Sequence, residues 1–87
     1  MSKKINLAAV EARPSLFEAA KTVNLARDLG NIIYFNAATI PDLRFGERLF
    51  DSTGEIEVSD EELQLIKGAV PSLLAWAQDA VLKIIGD

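Results

Sequence analysis

The side chains that could most readily carry out chemistry are five carboxylates in the second half of the chain: Glu55, Glu57, Asp60, Glu61 and Glu62. Carboxylate oxygens can bind a divalent cation or exchange protons with a substrate. The spacing does not suit a calcium loop, because Ile56 and Val58 interrupt the alternating ligands and the central glycine is missing. We interpret the group as helix-start carboxylates beside a solvated strand face. The alternative is a docking patch for a basic protein surface.

Catalysis is the function class with the least support. The chain contains neither cysteine nor histidine. It therefore lacks thiolate metal ligands, disulfides and the commonest general base. No glycine-rich phosphate loop and no nucleophile elbow is present, and the serines suit helix caps and turns. We expect a protein that is not an enzyme and that has no catalytic, cofactor-binding or metal-binding residues.

The basic side chains of the first half suggest an alternative function, that of a DNA-binding regulator. Residues 1–50 carry seven Lys or Arg against five Asp or Glu, whereas residues 51–87 carry two against eight. The basic set is Arg13, Lys21, Arg27, Arg44 and Arg48. A helix-turn-helix around Gly30 would need a polar recognition helix, but Asn31–Phe35 is too apolar. The net charge of −4 also disfavours binding to nucleic acid.

The most legible structural element is a helix that begins after Ser59. The Ser59 hydroxyl can cap the helix, and the Glu62 carboxylate can accept a hydrogen bond from the Ser59 amide. This reciprocal pair is a capping box. Val58 and Leu63 have the spacing of a hydrophobic staple. Gly68 and Pro71 end the helix, and a last helix runs from Pro71 or Ser72 to about Ile85, closed by Gly86.

A second capping box, Ser15 with Glu18, predicts a helix that continues through Leu29 and ends at Gly30 as the C′ residue. The next stretch, Asn31–Asn36, suits either a short buried strand or a helix that extends to about Thr39. We favour the helix, because the chain barely supplies a partner for such a strand.

A further helix is predicted to begin at Pro41, which is well placed as a first helical residue. Residues 51–54 have turn chemistry. The alternation in Glu55–Val58 predicts a strand, which could pair with Lys3–Leu7. We therefore expect a mainly α fold: residues 1–87 form a single small helical domain, a compact bundle of four or five short helices with room for one two-stranded β pairing.

Large apolar residues are numerous for so small a core, which indicates a protein-interaction surface. The aromatic members of this surplus include Phe17. For Trp76 we favour a position in the core or at its edge, and the alternative is a partly exposed interaction anchor. The predicted interaction residues are Tyr34, Phe35, Phe45, Phe50, Trp76, Glu57 and Glu61.

The run GEIEVSDEELQLIK, from Gly54 to Lys67, follows a turn and precedes the final predicted helix. This arrangement resembles the C-terminal halves of many small uncharacterised proteins encoded in phages and prophages. The resemblance covers about a third of the chain and implies an accessory protein that binds another protein. It assigns no site residues.

The sequence thus predicts a small acidic protein-interaction module, an adaptor or accessory protein whose partner is another protein or, in a homodimer, a second copy. The apolar runs of four or five residues are too short for a membrane span, and no secretory signal is recognisable, so we expect a cytoplasmic protein.

Overall fold

The computed structural model describes residues 3–86, which form four α-helices, one 3₁₀ turn and two small antiparallel sheets. The elements are β1 (Lys3–Ile5), β2 (Val10–Ala12), β3 (Lys21–Val23), α1 (Ala26–Asn36), α2 (Ile40–Phe50), β4 (Ile56–Val58), α3 (Asp60–Ala69), the 3₁₀ turn (Val70–Ser72) and α4 (Ala75–Ile85). The predicted predominance of helix is confirmed. The fold is not the expected helical bundle with at most one β pairing, because two β-ribbons contribute to it and the second, β2 with β3, was not predicted.

The first ribbon joins β1 to β4, as the alternating sequence pattern predicts. Lys3 lies opposite Val58, and Ile5 lies opposite Ile56. Ile5 and Val58 are buried, which explains why these short strands stay paired: one face of the ribbon covers the core.

The second ribbon corrects the helix predicted to follow Ser15. Strands β2 and β3 pair with Val10 opposite Val23, and residues 13–20 form the loop between them. The Ser15 hydroxyl accepts a hydrogen bond from the Phe17 amide at 3.1 Å, and the Glu18 amide donates to the Ser15 carbonyl at 3.2 Å. The same residue types that can cap a helix here close a turn instead.

Helix α1 settles the ambiguous stretch at residues 31–36 as helix, and it starts five residues earlier, at Ala26. The Asn24 side chain accepts from the amides of Ala26 and Arg27, and the Ala26 amide also donates to the Leu7 carbonyl, so both amides at the helix start have partners. Gly30 therefore lies inside α1, and the prediction that it ends a helix is wrong.

Helix α2 begins with the predicted proline in its first turn. The Thr39 hydroxyl accepts from the Asp42 amide at 3.3 Å, which caps the helix. Only residues 37–39 separate α1 from α2, and the two helices make the most extensive helix–helix contact in the described part of the chain.

The capping box of α3 is confirmed. The Ser59 hydroxyl accepts from the Glu62 amide at 3.2 Å, and the Glu62 carboxylate accepts from the Ser59 amide at 2.9 Å. Arg48 donates to the same carboxylate oxygen at 3.0 Å, which connects α2 to the start of α3.

The last helix begins later than predicted. Residues 70–72 form a 3₁₀ turn, and α4 starts at Ala75 after Leu74, whose side chain is exposed. Gly86 ends α4 in the left-handed conformation, with φ of 77°, as the sequence predicts.

The core lies between the helices and the inner faces of the two ribbons. β2 packs against α4, and α1 packs against both α2 and α3. The largest fully buried side chains are Leu7, Leu29, Leu49, Ile66, Val10, Val58 and Val81. No charged or polar residue is buried among residues 3–86. In the same range, no helix combines the length and the apolar character that crossing a membrane requires.

Candidate interaction surface

Helices α1 and α2 touch through two glycines. A Cβ atom on Gly30 would lie 2.6 Å from the Phe50 backbone nitrogen and 2.8 Å from the Gly46 carbonyl oxygen. A Cβ on Gly46 would lie 2.8 Å from the Tyr34 nitrogen and 2.9 Å from the Gly30 oxygen. Real Cβ atoms do not approach backbone this closely, so only glycine permits this crossing.

The close crossing leaves a shallow groove over the two helices, which we call the glycine groove. Its open volume is about 290 Å³, and its lining residues are Gly30, Asn31, Tyr34, Gly46, Glu47, Phe50 and Asp51. The two glycines are buried where the helices cross, and they lie among the lining residues. The aromatic residues one turn farther along each helix, Tyr34 and Phe50, stand beside the groove.

The apolar side chains around the groove are accessible to solvent. Tyr34 is 46% exposed and Phe50 is 37% exposed. Phe35, the next residue of α1, is 83% exposed, and Ile40, at the start of α2, is also exposed. Aromatic side chains with this exposure favour contacts with another molecule, because covering them removes apolar surface from water.

Charged groups surround the groove. The Arg27 guanidinium lies 4.8 Å from the centre of the Phe50 ring, within the range of a cation–π contact. Arg44 donates to Glu47 at 2.8 Å, and this hydrogen bond raises the pKa of the guanidinium above its ordinary value. Glu47 and Asp51 place two carboxylates among the lining residues.

The structure brings together some of the predicted interaction residues. Tyr34 and Phe50 line the glycine groove, and Phe35 follows on α1. Phe45 is buried in the core, with the Arg48 guanidinium 5.2 Å from its ring centre, so it cannot contribute to a surface. Trp76 is half-buried on α4 and packs against the core, which places it at the core edge.

The two acidic predicted residues lie on other elements. Glu57 is an exposed residue of β4 opposite Lys4, and its carbonyl accepts from Arg48 at 3.2 Å. Glu61 is exposed in the first turn of α3. Neither lines the glycine groove. Within residues 3–86, no group of acidic side chains is arranged to hold a metal ion.

The basic residues considered for DNA binding are largely paired with acidic neighbours. Lys21 lies 3.5 Å from Glu18, and Arg48 lies 3.0 Å from Glu62. Arg44 is paired with Glu47, as described above. These three pairs offset part of the positive charge of the basic set locally.

The exposed tip of the β2–β3 ribbon was not predicted, because the Ser15–Glu18 pattern indicates a helix over these residues. We define the hairpin tip as residues 13–20. Leu16 is 84% exposed and Phe17 is fully exposed at this tip. The Arg13 guanidinium donates to the Leu16 and Glu18 carbonyls, both at 2.8 Å, and so fastens the loop. Hydrogen bonds from one arginine side chain to nearby backbone carbonyls produce no periodic sequence pattern, so the sequence does not reveal this loop.

Comparisons of this chain with protein-family models, with curated proteins and with solved structures find no match.

Proposed function

We propose that this protein is a small acidic protein-interaction module with no catalysis of its own, and that the glycine groove is its binding surface. The observation that carries the proposal is the pair of exposed aromatic side chains, Tyr34 and Phe50, beside a groove floored by Gly30 and Gly46. A groove of this kind can accept an apolar side chain of a partner and enclose it between aromatic walls.

Packing within the chain supports this interpretation. The described residues bury a continuous apolar core that leaves no buried side-chain polar atom without a hydrogen bond. The exposed aromatics are thus surplus to a core that is already well formed. Their exposure to water lowers the solubility of the protein and adds nothing to its free energy of unfolding. A partner that covers them would remove this apolar surface from water.

The chemistry of the groove indicates its partner. An apolar anchor would occupy the depression, and a Lys or Arg beside that anchor would face Asp51 at the lining, because Glu47 is already paired with Arg44. The resemblance of the Gly54–Lys67 region to phage and prophage proteins suggests an accessory or adaptor role. Because the chain contains no cysteine, a reducing cytoplasm suits it, and we propose that it acts there.

A photo-cross-linking amino acid at Asn31 tests the proposal. Asn31 is exposed and lines the groove, so a probe there reaches a bound partner without disturbing the core. We expect a discrete cross-linked protein in the cells that make this chain. The yield of the cross-linked product should fall at least tenfold when Tyr34→Ala removes one of the two aromatic side chains beside the groove.

The matched control carries the same probe at Glu61, an exposed helical position outside the groove. Identical products from both positions would show random collisions and contradict a binding role for the groove. An unchanged yield of cross-linking from Asn31 in both the Tyr34→Ala and the Phe50→Ala variants would also contradict a binding role for the groove.

A further inference from the structure

We draw no further inference here: the strongest candidate, the exposed apolar patch that Leu16 and Phe17 form at the hairpin tip, carries none, because nothing in the structure shows what covers it.

Discussion

Gly30→Ala should destabilise the fold even though alanine is the better helix former. The new methyl carbon would lie 2.6, 2.8 and 2.9 Å from three backbone atoms of α2, belonging to Phe50 and Gly46. Ordinary contacts begin near 3.4 Å, and backbone atoms cannot rotate aside as a side chain can. Helices α1 and α2 must therefore separate by the better part of an ångström, which loosens the packing of Leu29, Ile33 and Leu49.

The magnitude follows from two opposing effects. Overpacking a close contact costs about 1–3 kcal/mol, and the three backbone contacts place Gly30 at the upper end. Replacing glycine by alanine in a helix gains about 1 kcal/mol. We therefore expect Gly30→Ala to lower the free energy of unfolding by about 2 kcal/mol, and Gly46→Ala, with Cβ contacts of 2.8–3.0 Å, to have a similar effect.

Gly68→Ala is the matched control. Gly68 is also helical, but a Cβ there would meet nothing within 4 Å, so only the propensity gain of up to about 1 kcal/mol remains. The double variant of Gly30 and Gly46 should lose only about 1 kcal/mol, because one helix separation accommodates both methyl groups while the helix-propensity gain is made twice.

Urea denaturation followed by circular dichroism at 222 nm measures these differences. A stability of about 4–13 kcal/mol is ordinary for this length, so a loss of 2 kcal/mol is readily resolved. A Gly30→Ala variant as stable as Gly68→Ala would refute the backbone contact between α1 and α2. Additive losses in the double variant would refute the shared separation.

Other substitutions follow from single contacts, with unfolding free energy as the common measure. Ser59→Ala removes the α3 cap and should cost about 1 kcal/mol; no loss would contradict the capping box. Leu29→Ala should cost about 2–5 kcal/mol because Leu29 is fully buried, whereas Leu74→Ala, at a 70% exposed position, should change stability by less than about 0.5 kcal/mol. Gly86→Ala places a side chain at φ of 77° and should cost about 1 kcal/mol; equal stability would argue against the left-handed helix end.

Local patterns predicted the elements whose determinants are local. The Ser59–Glu62 box forms as expected because Leu63 and Ile66 follow it with a stripe that faces the core. The Ser15–Glu18 box has the same spacing, yet residues 16–22 after it are exposed in the hairpin, where no core packing is available to stabilise a helix. Arg13 instead closes the loop through carbonyl contacts that neither propensity nor periodicity reveals.

The candidate surface was predicted only in part, for a similar reason. An aromatic surplus can be counted in the sequence, but which rings the core buries depends on packing. Phe45 and Phe50 lie five residues apart on α2 but differ in burial. Phe45 faces the core, whereas Phe50 faces the groove. The groove itself depends on Gly30 meeting Gly46, a long-range contact between residues that individually resemble helix breakers.

The pairing of β1 with β4 has a consequence for the order of folding. It joins strands about 50 residues apart, whereas α1 and α2 are separated by a three-residue connection. Closing the long loop costs entropy that becomes favourable only once the intervening helices have shortened the distance. We expect α1 and α2 to be native-like in the folding transition state, with the β1 strand added afterwards. Substitutions at Ile5 would then accelerate unfolding and leave the folding rate nearly unchanged.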